Sequence, residues 1–346
     1  MDTCNRTQSA DRLWPYLIAA ALGTFLLAFV SSGVWPGGAG TPETTLSAVV
    51  ARHLLTVLLL LIVPAVWARI ALLRSPWMLA LLAAFAFGCG LVLTGDPKEA
   101  AYTLLLCALP GVGLWGLFRL KLSNFRAVIY GSFVILAALY GFVCLKDLIR
   151  SGDAYASYKY VVGLYGEAAA RADLSAYGES GKQLAEEAAA FVDLFRANAE
   201  SFCVPLLLLP SMAAALSNVL FSHLFNRRGG AALTPLPHFS EWRCERWYVL
   251  LTAAFLLAVM LLGLCGVRAA DALSDVAGLL WRMPCTLGGL AAVRRLAVLS
   301  GRKWIFWAAV VLLVLLPPLT SMLLSFLGLM TAMRRPGNVG EDGGRK

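Results

Sequence analysis

The sequence predicts an all-α fold: a polytopic transmembrane helical bundle of about nine spans, eight if one late segment stops short, with an extramembrane helical hairpin insert. Three observations lead there. Of 346 residues, 60% are hydrophobic and only 14% charged, with a mean hydropathy of +0.75, whereas soluble domains carry about a quarter charged residues. The apolar residues fall in blocks of roughly twenty, enough to cross a ~30 Å hydrocarbon core as helix. Unbroken apolar runs such as residues 57–63 lack the alternation of a membrane barrel, the other structure that satisfies its backbone in lipid. A cytosolic enzyme, a secreted disulfide scaffold and a disordered chain are excluded.

The first block, 13–34, exceeds the core of about 7–15 residues that a cleaved signal peptide uses. Its flank mixes Asp2 and Asp11 with Arg6 and Arg12, so it reads as a retained span. Blocks at 46–68, 76–94, 101–118 and 127–145 complete an N-terminal five-span half over residues 1–145. Residues 146–201 interrupt the pattern as an extramembrane insert. The C-terminal half, 202–333, holds blocks at 202–225, 247–269, 272–293 and 304–330, and residues 334–346 form a polar tail.

Lys and Arg gather in alternate short connections: Arg69 and Arg74, then Arg119, Lys121 and Arg126, then Arg227 to Arg246, then Arg294 to Lys303. The intervening connections, 35–45 and 95–100, hold only Lys98. The positive-inside rule therefore sets a multi-pass protein in the cytoplasmic (inner) membrane, N-terminus cytoplasmic and residues 146–201 extracytoplasmic. Two misfits stand out, Arg268 at the outer end of the seventh span and, more seriously, the tail. Nine spans put it outside, yet it carries Arg334, Arg335, Arg345 and Lys346, so the eighth block, 272–293, is the one expected not to cross fully.

The net charge of +9 is not a nucleic-acid signature. Residues 147–200 hold nine acids against five bases, and the remaining bases orient spans rather than form a phosphate-binding face. The eight cysteines contain no CxxC, the closest pair being Cys89 and Cys107; they read as small hydrophobes between helices.

Within the insert, Leu184, Ala188, Phe191 and Phe195 recur at helical spacing, with Glu186, Glu187, Asp193 and Arg196 on other faces. This piece, 183–199, is expected to run into the sixth span. A second piece, 156–172, carries Tyr158, Val161, Val162 and Tyr165, and Gly178 and Gly181 separate the two. Two readings stay open: a lid over the outer mouth of the bundle, or a solvated hairpin whose apolar stripe closes on itself. Residues 178–182 resemble a phosphate loop, but Ala176 and Gln183 occupy positions that need Gly and Ser or Thr, leaving a turn.

The eighth block carries the strongest chemical signal. Arg282 lies near mid-membrane, where an arginine costs about 2.5–3.5 kcal/mol on insertion scales and is expected to face protein or water. Pro284, Gly288 and Gly289 follow and are expected to break the helix, the pattern found where transporters hold a substrate or ion. Asp271 and Asp275 lie one turn apart, and Asp275 is about 10.5 Å from Arg282 along the axis. Arg52 and His53 are the other candidates to meet these carboxylates. The competing explanation is a buried ion pair that fixes helix packing, or an arginine reaching the interface. His223, near Asn218 and Ser222, and His238, in a Pro-containing loop, read as packing or interfacial residues. No zinc helix, nucleophile elbow or His–carboxylate cluster occurs, so no enzyme, metal or cofactor is expected.

The insert entering residues 202–225 through Pro205, the loop Pro237-His-Phe-Ser-Glu-Trp242-Arg, the Leu287-Gly-Gly-Leu290 segment, the Leu327-Gly-Leu329 ending and the Pro110-Gly-Val-Gly113 segment together resemble the YybS-like family of bacterial multi-span membrane proteins. That family is distantly similar to the substrate-binding subunits of vitamin-uptake transporters, so the resemblance implies small-molecule capture and carries no activity to any residue. The leading expectation is a transporter-type protein binding a small molecule or ion near Arg282, under the hairpin. It would draw on an ion gradient or a partner ATPase, since no ATP-binding motif occurs. The alternative is a non-transporting scaffold or assembly factor contacting envelope proteins.

Overall fold

A computed structural model describes residues 13–32, 46–171, 178–226, 238–267 and 270–333. Its regular elements are helices, and eight helical segments among the described residues are long and apolar enough to span a membrane. The chain is an all-α, multi-pass membrane bundle. It divides into two compact units, residues 1–235 and 236–346, so the sixth span belongs to the first unit.

In the first unit, α1 (Trp14–Ser31) is followed by a second span made of two helices, α2 (Leu46–Leu60) and α3 (Val63–Leu73). The break has a local cause. Pro64 has no amide to offer the Leu60 carbonyl four residues back. Asn218, fully buried on the sixth span, fills the gap: its Nδ2 donates to Leu60 O and its Oδ1 accepts from Ala65 N, each at 2.7 Å. Helices α4 (Trp77–Thr94) and α5 (Pro97–Arg119) are joined by a two-residue turn. Gly95 takes φ +66° there, and Asp96 caps α5 by accepting from Lys98 N at 2.8 Å.

The fifth span, α6 (Asn124–Tyr140), passes through one π-helical turn, Gly141–Leu145, into α7 (Lys146–Ser151). The insert is a helical hairpin of α8 (Ala156–Arg171) and α9 (Gly178–Ala197), leading into α10 (Ala199–Asn226). Helix α9 begins at Gly178, so residues 178–182 are its first turns and not the turn expected between the pieces. Asn198 alone is non-helical between α9 and α10. Gly163 and Gly166 bring α8 close to α9, since a Cβ at either would press on Arg196 or Val192.

The second unit holds a 3₁₀ turn (Phe239–Glu241), α11 (Arg246–Leu264), α12 (Ala270–Leu299), α13 (Trp304–Leu315) and α14 (Pro317–Met333). Two expectations fail here. The eighth block is not the short one: residues Leu273–Leu299 are long enough to span. The ninth is divided instead, at Leu316 (φ −130°, ψ 61°), ahead of Pro317-Pro318. Helix α13, at 12 residues, is about 18 Å long and cannot cross alone. The Thr320 hydroxyl donates to Leu312 O at 3.0 Å across the bend.

The expected helix break at Pro284, Gly288 and Gly289 is also absent, because α12 is continuous through all three. The carbonyl that Pro284 leaves unbonded is that of Leu280, and the Tyr248 hydroxyl donates to it at 2.7 Å. The glycines serve packing. A Cβ on Gly289 would overlap the Leu324 carbonyl, and one on Gly328 would overlap the Cys285 carbonyl. This is the close approach that small residues permit between membrane helices. Thr286 and Ser325 hydroxyls meet there at 2.8 Å.

A cavity and a basic pocket beneath the hairpin

Two adjoining cavities lie in the first unit where the hairpin packs on α2, the π turn and α10. The larger, about 670 Å³, is walled by Tyr158 and Val162 of α8, Phe191 and Phe195 of α9, and Cys203 and Leu206 of α10. The apolar stripe predicted for the insert thus lines a space shared with the membrane spans, with Leu184 and Phe191 themselves more than half exposed. Its wall is apolar apart from His53, Ser157, Tyr158, Tyr165, Glu187 and Cys203. The Tyr158 hydroxyl is buried and meets no hydrogen-bond partner among the described residues. Burial pushes its phenol up to about 12.

The smaller cavity, about 150 Å³, has Arg52, His53, Lys146 and Asp147 among its lining residues. His53, Val143, Ser157, Val161 and Leu207 line both cavities, so the two are continuous in wall as well as neighbouring.

Each polar group here has a structural reason for its position. Arg52 donates from Nε to Val30 O at 2.9 Å and from Nη2 to Ser31 O at 2.8 Å. It thereby closes the carbonyl end of α1, where a cation is favoured. His53 Nδ1 lies 2.8 Å from Val49 O. A carbonyl only accepts, so Nδ1 carries the proton and Nε2 is left to face the cavity system without a partner among the described residues. Glu99, in the first turn of α5, pairs with Lys146 at 2.6 Å and Arg150 at 2.8 Å. Asp147 accepts from both the amide and the hydroxyl of Ser157, at 2.6 and 2.7 Å, fastening α8 to α7. Arg52 stands within Coulombic reach of Glu99, Lys146 and Arg150 and makes no ion pair among the described residues. Arg150 is the exposed member of the cluster, so the part-buried cations Arg52 and Lys146 stand against the buried carboxylates Glu99 and Asp147.

The chain matches over residues 46–330 a family described as "Predicted membrane protein (DUF2232)". It belongs to that family. No curated protein and no solved structure matches it. The matched region of this DUF2232 chain takes in the hairpin and every residue lining the larger cavity.

The sequence-predicted residues separate. Arg52 and His53 are at the cavities. In the second unit, Arg282 and Asp275 are exposed and joined by no ion pair among the described residues; the shelter expected around the guanidinium is not found. Asp271 lies in the first turn of α12, its side chain outside what is described. Pro284, Gly288 and Gly289 are buried packing residues. The Glu99–Lys146–Arg150 cluster and Asp147 were not singled out by sequence, because each sits at the edge of an apolar block where a charge is ordinary. His223 pairs with Asn124 at 2.7 Å, in keeping with a packing role. No group of metal-binding side chains occurs among the described residues.

Proposed function

We propose that this DUF2232 protein is a transporter-type membrane protein that binds a small molecule in the cavity beneath the hairpin. One observation carries the reading: an apolar space of about 670 Å³ shares a wall, through His53, with a basic pocket inside a membrane bundle. That volume falls within the ~300–1,000 Å³ of ligand sites, which pair an apolar lining with a few convergent polar groups. The charges point the same way, since ionisable groups within a span mark ligand or ion pathways. The likeness to YybS-like proteins, and through them to vitamin-capturing subunits, supports capture of a small molecule. The distribution of Lys and Arg supports an inner-membrane orientation with the hairpin outside. The site takes the place of Arg282 in the expectation from sequence.

Thermal-shift screening of the purified chain against vitamins, nucleobases, ions and lipid-like amphiphiles tests it. A compound that raises the wild-type Tm and leaves Ala188→Trp, which fills the cavity, unmoved supports the reading. A panel that moves neither protein counts against it. The scaffold alternative is favoured by a different observation, the exposed Arg282 and Asp275, which no ion pair engages among the described residues. On that reading, Arg282→Ala would disrupt co-purification with an envelope protein while ligand shifts stay unchanged.

A further inference from the structure

The geometry points to the chemical class of the ligand: a single-chain amphiphile with an anionic head, its chain in the larger cavity and its head against Arg52 and Lys146. This rests on the cavity being a ligand site. Three independent features select the class.

The first is the division of the space. The larger cavity offers mostly apolar wall from Val162, Phe191, Phe195 and Leu206. The cations Arg52 and Lys146 line the smaller pocket, which shares His53 and Ser157 with the larger. A vitamin-sized polar molecule would fit one compartment and waste the other; a head joined to a chain uses both.

The second is charge. Arg52 lines the smaller pocket, and its guanidinium bonds only to the Val30 and Ser31 carbonyls, with no ion pair among the described residues. Asp147 is occupied by Ser157, and Glu99 is shared by two cations. A cation removed from water needs compensation, and an anionic head supplies Arg52 with the ion partner it lacks. Glu187, the one carboxylate among the described residues on the wall of the larger cavity, disfavours an anionic head there and so favours the head in the smaller pocket.

The third is the Tyr158 hydroxyl, buried on the cavity wall without a partner among the described residues. Buried polar groups are almost always hydrogen-bonded, and an ester, ether or headgroup oxygen in the cavity would accept from it.

The test uses the full chain in a neutral detergent, read by native mass spectrometry and competition. The probes are dodecyl phosphate, dodecanol, dodecylamine and inorganic phosphate. Dodecyl phosphate is expected to bind one to one, at least tenfold more tightly than dodecanol or dodecylamine, with inorganic phosphate alone not retained. Across octyl, decyl and dodecyl phosphate the affinity should rise about fourfold per methylene. Lys146→Gln, which leaves Glu99 paired with Arg150, should weaken the phosphate amphiphile about tenfold or more and leave dodecanol unchanged. Ala188→Trp should weaken both, and a wild-type-like melting curve for each variant shows that it folds.

Equal binding of dodecanol or dodecylamine overturns the anionic class while leaving the cavity a ligand site. Retention of inorganic phosphate as tight as dodecyl phosphate overturns the role of the chain. A polar compound from the thermal-shift panel that binds, is blocked by Ala188→Trp and is not displaced by dodecyl phosphate overturns the class but not the site. Absence of any binding that Ala188→Trp can abolish overturns both.

Discussion

The Tyr248 hydroxyl donates to the Leu280 carbonyl over 2.7 Å, and that carbonyl is the one Pro284 leaves without an amide. A proline inside a span is tolerated when a neighbouring group takes up the freed carbonyl. Tyr248→Phe removes the donor and keeps the ring, so a buried acceptor is stranded at a cost of about 1–3 kcal/mol. Unfolding in graded denaturant should show that loss. Adding Pro284→Ala should recover most of it, because an alanine at that position restores the helical bond to Leu280; a double variant no better than Tyr248→Phe would refute the pairing.

Asn218 does the same work for the second span, on a larger scale. It holds both Leu60 O and Ala65 N, at 2.7 Å each, so Asn218→Leu strands a carbonyl and an amide together. The loss is expected to exceed that of Tyr248→Phe, roughly twofold if the two groups add. Asn218→Asp, held neutral because a buried carboxylate is costly, can accept from Ala65 N and donate its one O–H to Leu60 O, and should fall between wild type and Asn218→Leu in the same unfolding measurement.

Adjacent glycines on α12 separate packing from mere flexibility. Around Gly288 the nearest atoms to an added Cβ are 3.5 Å away, ordinary contact, whereas at Gly289 the methyl would overlap the Leu324 carbonyl. Backbone cannot swing aside as a side chain can. Gly289→Ala should therefore cost about 1–3 kcal/mol or more by forcing α14 off α12, and Gly288→Ala should be close to neutral. Melting temperatures of the two variants decide it. Equal loss would mean that both glycines were needed for backbone freedom.

Span number and helical class were legible in the sequence because blocks of about twenty apolar residues have one folded solution in lipid. What happens inside a block was not. Pro64 and Pro284 read alike in sequence, yet the second span breaks at Pro64 and α12 runs on through Pro284, and the groups that answer the two freed carbonyls, Asn218 and Tyr248, are distant in sequence. The site was half legible. Arg52 and His53 stood out as charges inside a span, and the insert's stripe of Leu184, Ala188, Phe191 and Phe195 was legible as an apolar face, which lines the larger cavity although Leu184 and Phe191 stay more than half exposed. Arg282 stood out for the same reason as Arg52, but the cost of a mid-span cation does not say whether a partner is present, and Arg282 has none among the described residues. Glu99 and Lys146 lie 47 positions apart, and no spacing rule connects the ends of two separate spans.

Tyr158 gives the cavity a signature in pH. Its phenol is raised by burial from 10.0 to about 12, so the neutral form is favoured in the folded chain. A raised acid contributes stability that is fully present below pH 10 and is lost as pH climbs through the folded value, because the unfolded chain ionises first. Tyr158→Phe removes this dependence and an unpartnered hydroxyl together, and replacing an unsatisfied polar group by an apolar one is neutral or stabilising. At pH 8 the variant should melt at or above the wild-type temperature, and the gap should widen in its favour between pH 10 and 12. The same substitution should weaken any ligand whose oxygen accepts from that hydroxyl, so stability and binding move in opposite directions, as expected of a group held for function. A Tyr158→Phe chain that melts below wild type at pH 8 would show that the hydroxyl already has a structural partner, and the cavity would lose its buried, unanswered donor.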